Sequence, residues 1–377
     1  MNEAAGGPSA NNVSHLRRQN RRAVLHALRL SGTLSRAELA RETGLTPPAV
    51  ANIVGDLMAA GLVREAGRRK AARGQPPIGV EIARDGGYAV GLRVEARRYD
   101  FVIADLAGER IEAGKGTMPS GDEATLVDFL ADLYAGFAAH YGPERSLGLG
   151  LVTPGPFDAV WPGVPTPGAL PALQSRSLAG KLSARIDADV FLENDATAAA
   201  LGEKLYGAAK ALNNFVFVFV GEGVGGGIVI DGKPYRGGSG NAGEFGHLPI
   251  DPNGPLCYCG NRGCLGQYLS LSAHDQSVAA LGPDANLTAE TAWLETAASA
   301  LAQALVSIEN LFDPQAIILG GTAPDALLEK LIHAVGPLRP SVRLGLSDPR
   351  LRLSAVGEQS AALGASALPI LAVSSSS

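Results

Sequence analysis

The sequence predicts an α/β protein in two parts, an N-terminal winged helix-turn-helix followed by a larger body of alternating strands and helices. Three observations carry this expectation. Between Asn20 and Gly61, apolar residues recur at helical spacing in three short runs, and two strand-like runs joined by a basic loop follow them. From Tyr88 onward, apolar runs of strand length alternate with alanine- and leucine-rich segments and are punctuated by glycine, the pattern of an α/β architecture. At 377 residues, 46% hydrophobic and 18% charged, the chain is long enough for two or three domains and apolar enough to give each a core.

Residues 1–14 read as a flexible lead, 15–82 as the winged helix, 83–370 as the body and 371–377 as a tail. Met1 to Pro8 has neither a basic start nor an apolar stretch of signal-peptide type. The longest apolar run, Phe215 to Val220, has the length of a strand and not of a membrane span. A cytoplasmic protein without a membrane partner is expected.

In the N-terminal part, a first helix from about Asn20 to Leu30 buries Val24, Leu25 and Leu28, and Ser31-Gly32 ends it. Ser35-Arg36-Ala37-Glu38 is a capping box, in which serine and glutamate satisfy each other's unpaired amides at a helix start. That second helix stops at Gly44, a residue suited to a left-handed cap. Thr46 is placed to cap a third helix with Pro47 at its first position, where a missing N–H costs nothing. Val50, Ile53, Val54, Leu57 and Met58 give this helix one continuous apolar stripe. Two strands, Leu62 to Glu65 and Ile78 to Ile82, then flank the basic loop Arg68 to Gln75.

Helix, tight turn and helix ahead of a basic hairpin describe a winged helix-turn-helix. Residues 1–80 hold twelve Lys and Arg against five Asp and Glu, a balance of +7, which leaves −12 for the remainder. A basic unit on an acidic body points to a polyanionic partner for the first part, double-stranded operator DNA in this fold. The third helix would offer Thr46, Ala49 and Asn52 to the major groove, where small side chains permit close approach and asparagine pairs with adenine. Arg68, Arg69 and Arg73 of the wing would meet phosphates or the minor groove.

The chain's three cysteines stand as Cys257-x-Cys259-x4-Cys264, ten residues after His247. Zinc favours thiolate and imidazole and closes a structural site at four ligands, the number that His247, Cys257, Cys259 and Cys264 supply. Gly254, Gly260 and Gly263 let a short loop curl around one ion. Disulfides would leave an odd thiol. A structural Zn(2+) is expected, with no coordination position left for a catalytic water.

In the body, Tyr88 to Val94 and Tyr99 to Leu106 read as a hairpin, and Ser146 to Val152 as a buried strand running into Thr153-Pro154-Gly155-Pro156. Asp189 to Glu193 is a strand, and Asp195 opens a helix. Phe215 to Val220 and Gly227 to Ile230 flank a glycine loop at 221–227, and Ala316 to Leu319 is a last buried strand before Gly320-Gly321.

Together with Glu193-Asn194-Asp195, Gly243-Glu244-Phe245-Gly246-His247 and the cysteine cluster, this order resembles the ROK family (repressors, open reading frames and sugar kinases) over roughly residues 85–370. The resemblance implies a two-lobed actin-like ATPase fold with a sugar in its cleft, a small lobe at about 83–200 completed by the C-terminal helix, and a large lobe at about 201–355. With a winged helix ahead of it, the chain is similar to the family's regulator branch, of the xylose and N-acetylglucosamine repressor type. The resemblance also assigns Asn194, Asp195, Glu244 and His247 to a sugar, Asp195 matching the general base of the kinases. One nitrogen of His247 would then bind zinc and the other a sugar hydroxyl.

Two departures from the family bear on activity. Its kinases carry Asp-x-Gly-Gly-Thr where this chain has Arg93-Val94-Glu95-Ala96-Arg97, and Glu222 replaces a small hydroxyl residue in the glycine loop. Two carboxylates beside a triphosphate would repel it. At the position two residues after the last cysteine, where a glutamate contacts the sugar, stands Gly266. The expectation is a sugar-responsive repressor of carbohydrate uptake or catabolism genes, a homodimer or dimer of dimers that is not an enzyme. The alternatives are a sugar kinase with an accessory DNA-binding domain and an adaptor that binds a protein in the cleft.

Overall fold

The computed structural model describes residues 10–68, 77–157, 175–281, 286–342 and 349–373. At the N-terminus, α1 (Ala10–Ser31) begins well before the residue at which the apolar spacing starts. A two-residue strand, β1 (Leu34–Ser35), leads into α2 (Arg36–Thr43). The capping box is formed: the Glu38 amide donates to Ser35 Oγ at 3.2 Å and the Ser35 amide donates to the Glu38 carboxylate at 2.7 Å. Gly44 closes α2 at φ 69°. In α3 (Pro47–Ala59), Thr46 sits in cap geometry but its hydroxyl accepts no amide. Pro48 has no N–H, so one of the two donors that a capping oxygen serves is gone.

The strands β2 (Val63–Arg68) and β3 (Ile78–Ile82) pair antiparallel, and β1 adds to β3, giving the order β1-β3-β2. Arg69 and Arg73 lie outside the described residues. Val24, Leu25, Leu28, Leu39, Val50, Val54 and Leu57 form the core of this unit, with Ile53 and Met58 half-buried at its rim. Leu106 of the body is buried in the same core, and Leu147 and Val373 pack against it, so the winged helix is seated on the body.

The body contains one sheet plan twice. The first sheet comprises β4 (Tyr88–Val94), β5 (Arg98–Asp105), β6 (Arg110–Thr117), β7 (Ser146–Thr153) and β8 (Val190–Asn194) in the order β6-β5-β4-β7-β8. The second comprises β9 (Phe215–Val220), β10 (Val224–Ile230), β11 (Lys233–Pro234), β12 (Ala316–Gly321) and β13 (Leu351–Leu353) in the order β11-β10-β9-β12-β13. In each, three antiparallel strands are extended by two parallel ones. The central strands β4 and β9 are buried at every position because helices cover both faces. On the first sheet lie α4 (Glu123–Tyr141) and α5 (Leu178–Ile186). The second carries the short α7 (Gly266–Leu269), α8 (Leu271–Leu281), α9 (Asn286–Phe312) and α10 (Asp325–Val335).

Between the lobes, α6 (Asp195–Tyr206) is buried from Asp195 through Leu205, packed against β10 on one side and α11 (Ser360–Val373) on the other. The two helices touch backbone to backbone: a Cβ on Gly364 would lie 1.8 Å from the Ala198 carbonyl. Glu203, fully buried in α6, accepts from the amides of Ala208 (2.6 Å), Ala355 (3.0 Å) and Val356 (3.2 Å) and from the Ser354 hydroxyl (2.5 Å). α11 then returns to pack on β4, β5 and β7 of the first lobe. Among the described residues no helix is long and apolar enough to cross a membrane.

Candidate functional site

The C-terminal ends of β4, β7 and β8 face the β9–β10 turn across a narrow cleft. Arg93, Gly155, Asn194 and Asp195 line one wall, and Glu222, Gly225, Glu244 and Tyr258 the other. Three of the four sugar residues expected from sequence, Asn194, Asp195 and Glu244, thus come together here. His247 is not among the lining residues; its ring stands edge-on to Tyr258, 4.9 Å between centroids. The cleft holds about 50 Å³, space for a few waters at roughly 10–15 Å³ each.

Local structure fixes each polar group. Asn194 is the N-cap of α6: its Oδ1 accepts from the amides of Ala196 (2.9 Å) and Thr197 (3.2 Å). Its Nδ2 is turned toward Gly155, where a Cβ would come within 2.8 Å of it. Asp195 accepts from the Ala196 amide at 2.9 Å. Burial pushes its carboxyl above the usual range and Glu95 adds to this, while Arg93 opposes it. Glu244 is pushed up to about 7 by burial and by the charge of Asp195.

Arg93 is the organising cation, and the sequence reading did not single it out. It is 2% exposed, pairs with Glu95, lies 3.3 Å from Asp100 and 3.8 Å from Asp195, and has its guanidinium carbon 5.7 Å from the centre of the Phe219 ring. The signal was an arginine inside a strand otherwise apolar from Tyr88 to Val94. This placement revises the electrostatic expectation for Glu95. Its second oxygen pairs with Arg98, so two cations compensate the charge that was expected to repel phosphates. The Glu95 amide donates to the Arg98 carbonyl at 2.9 Å and is not turned to the cleft. Glu222 accepts from the Ser272 hydroxyl at 3.3 Å. The glycine run, too, has packing reasons: a Cβ on Gly226 would meet the Phe245 ring at 2.2 Å and one on Gly227 would meet Ala200 at 2.5 Å.

His247, Cys257, Cys259 and Cys264 do converge, their ligand atoms all within 4.8 Å of one another, so the cluster can hold a metal ion. Cys259 and Cys264 sulfurs are 3.7 Å apart, and Cys257 Sγ is 3.5 Å from His247 Nδ1. A disulfide would need about 2.05 Å. A tetrahedron with metal–sulfur bonds of about 2.3 Å and metal–nitrogen bonds of about 2.05 Å has edges of about 3.8 and 3.5 Å, close to these separations. Backbone bonds shape the loop: Cys257 N–H to Asn261 at 2.8 Å, Gly263 N–H to Pro255 at 2.8 Å and Leu265 N–H to Leu248 at 2.8 Å. Burial and the neighbouring thiols push Cys264 up to about 12; a cation among the sulfurs would reverse this. Gly266, where a contact glutamate was noted as missing, opens α7 beside the Gly246 carbonyl.

On α3, Thr46 and Asn52 are exposed and Ala49 is half-buried. Ala49 and Asn52, with Asp56, line a groove of about 1170 Å³ whose far wall is Glu144, Arg145 and Leu147 of the body. Pro48, Ala51 and Gly55 are exposed on the side away from that groove and were not singled out from sequence. Arg68 ends β2 opposite Ile78.

A basic winged helix seated on a duplicated two-lobed α/β body, with a polar cleft between the lobes and a thiolate–imidazole cluster beside it, defines a DNA-binding unit joined to a ligand-binding one. The ROK family profile matches residues 89–370, and a MarR family profile matches residues 19–74. The chain belongs to the ROK family. It is 31% identical to the xylose repressor of Bacillus spizizenii, covering 94% of this chain and 96% of that one. A solved ROK family transcriptional regulator, a homologue of the E. coli MLC protein, superposes with a TM-score of 0.75 at 26% identity, covering 96% of this chain and 99% of that one. A ROK hexokinase from Thermus thermophilus is 31% identical with a TM-score of 0.59, over 74% of this chain and 96% of its own.

Proposed function

We propose that the chain is a sugar-responsive, DNA-binding transcriptional repressor of carbohydrate uptake or catabolism genes, with residues 15–82 as its operator-binding unit and 83–370 as its sugar-binding unit. The observation that carries this reading is the coverage of the likeness: the regulators match nearly the whole chain, winged helix included, whereas the hexokinase matches three quarters of it. The filling of the phosphate side by Arg93, Glu95 and Arg98 supports a degenerate ATP site and a protein that senses without phosphorylating.

The sugar would be held by hydroxyl contacts to Asn194 Nδ2, Asp195 and Glu244, an amide and two carboxylates that suit groups which both donate and accept. With Glu244 poised near neutrality, it can play either part. His247, Cys257, Cys259 and Cys264 would hold one structural zinc, whose role is to fix the loop that presents Tyr258 to the cleft. A cleft that widens around a ring would make free and liganded forms differ in shape. A ligand with different affinities for two shapes shifts their populations, and with them the affinity for DNA. Thr46, Ala49 and Asn52 would read bases, the last two once the groove they share with Glu144 and Leu147 of the body opens, and Arg68, Arg69 and Arg73 would contact phosphates. A homodimer would place two winged helices on a palindrome.

A thermal-shift screen of the full chain against pentoses, hexoses, their N-acetyl forms and their phosphates tests this reading. One sugar class is expected to raise the melting temperature and to change operator affinity in a mobility-shift assay. The kinase reading keeps Asp195 as a general base. ADP release at about 1 s⁻¹ or faster with any of these sugars would establish it and overturn ours. Neutralising Arg68, Arg69 and Arg73 together should lower the salt slope of DNA binding by about 2.7, roughly 0.9 per phosphate contact. An unchanged slope would remove the wing from the interface.

A further inference from the structure

A second cavity, of about 1050 Å³, lies between the winged helix and the body, far larger than the interlobe cleft. One wall is α1, through Ala23, His26 and Arg29; the opposite wall is β8, α6 and α11. The floor is apolar, with Leu192, Leu205 and Leu371 among its residues. Its size falls at the upper end of the roughly 300–1,000 Å³ that small-molecule sites occupy.

The charges around this cavity are unbalanced. Lys204 donates to the carbonyls of Leu212 (2.6 Å) and Lys210 (3.1 Å) and to Asn213 Oδ1 (3.4 Å), all neutral acceptors, so among the described residues no carboxylate pairs with it. Arg29 has Nε and Nη2 sealed from solvent with no hydrogen-bond partner among the described residues. The Tyr206 hydroxyl near it is buried without a partner as well. His26 sits between these two cations, and burial together with their charges disfavours its protonation. Two carboxylates line the cavity among the described residues: Glu193, held by Arg236 at 2.7 Å, and Asp231, which is exposed. Burying cations without a counter-charge is costly, and an anion held in the cavity beside them lowers that cost.

We propose that this cavity binds a small amphipathic organic anion, its carboxylate or phosphate drawn by the uncompensated charges of Arg29 and Lys204 and its apolar body received by Leu192, Leu205 and Leu371. The ligand would bridge the DNA-binding unit and the body, since Arg29 belongs to α1 and Lys204 to α6. This site is separate from the sugar cleft, and its occupancy does not depend on which sugar the cleft takes.

The test uses the full chain and titration calorimetry with nonanoate, octyl phosphate and 1-octanol, three probes with the same eight-carbon tail. One or both anions are expected to bind about tenfold or more tightly than the alcohol, because they carry the charge that the two cations attract. The better anion identifies the head group. Arg29→Gln should cost a similar factor, and Arg29→Lys, which keeps the charge, should retain most of the affinity. Ala23→Trp, which fills the cavity while keeping Arg29 and Lys204, should abolish binding. Equal binding of the anions and the alcohol to the unaltered chain would overturn the proposal, as would anion binding unaffected by folded Arg29→Gln or by Ala23→Trp. The first comparison needs no variant and decides the matter even where a substitution prevents folding.

Discussion

Substituting Glu244 by glutamine isolates the electrostatic character of the cleft. In the folded chain burial and the neighbouring Asp195 hold the Glu244 carboxyl at about 7, against an ordinary value of 4.5. Between those two values the folded protein keeps a proton that the unfolded chain has released, so stability falls as pH rises through that window. Below it the carboxyl is neutral in both states and costs nothing; above it the full penalty applies. A separation of about 2.5 units at about 1.36 kcal/mol each is a penalty of about 3 kcal/mol at pH 8. Glu244→Gln keeps the shape and removes the ionisation. The variant should match the parent near pH 4.5 and exceed it by up to about 3 kcal/mol at pH 8. Urea unfolding at pH 5, 6, 7 and 8, followed through Trp293 in the large-lobe core, measures this difference. Parallel stability curves for the two proteins across that range would show that Glu244 ionises without penalty and would refute the reasoning.

Two further substitutions probe the cleft and the cluster. Arg93→Met leaves Glu95 and Asp195 buried without their shared cation and should cost about 3–5 kcal/mol in urea unfolding; a loss below about 1 kcal/mol would mean the carboxylates find another partner. Cys264→Ser removes one of four converging ligand atoms. The parent should carry one zinc per chain by atomic absorption, and the variant should lose the metal together with the sugar response; a metal-free protein with an undiminished response would refute the structural role.

How much of this was legible in the sequence follows from how local each determinant is. The capping box, the Gly44 stop and the spacing of Cys257, Cys259 and Cys264 are short-range chemistry, and the structure contains all of them. The body strands fell near their expected positions because buried parallel strands are apolar throughout; β10 began earlier, inside the glycine run. β1 and β13 are too short to carry a period. The cap expected of Thr46 failed because Pro48 supplies no amide there, a local conflict that was readable. Glu203 could not be read as buried, since its partners, Ser354 to Val356, come from a distant segment; Arg93 had a near partner in Asp100 across the hairpin, but its second carboxylate, Asp195, is remote in sequence. Tyr258, between two metal-cluster cysteines, was placed at the cleft only by the loop's backbone bonds.

The same strand and helix serve both ligand spaces, and this bears on how a sugar is felt by DNA. β8 ends at Asn194 and α6 begins at Asp195, both in the interlobe cleft; Leu192 and Glu193 of β8 and Leu201, Lys204 and Leu205 of α6 line the cavity beneath α1. α6 is enclosed along its length, tied to α11 by backbone contact at Gly364 and to the segment before α11 by Glu203. A helix held by backbone contact on one side and by a buried carboxylate at its end shifts as a body more readily than it bends. On the proposed reading, widening the cleft for a sugar would displace the end of α6 that carries Asp195, and the other end would carry that displacement to the wall of the cavity beneath α1. The core shared by Leu106, Leu147, Val373 and the winged-helix residues gives that movement something to act on, because the DNA-binding unit is seated on the body through a packed interface.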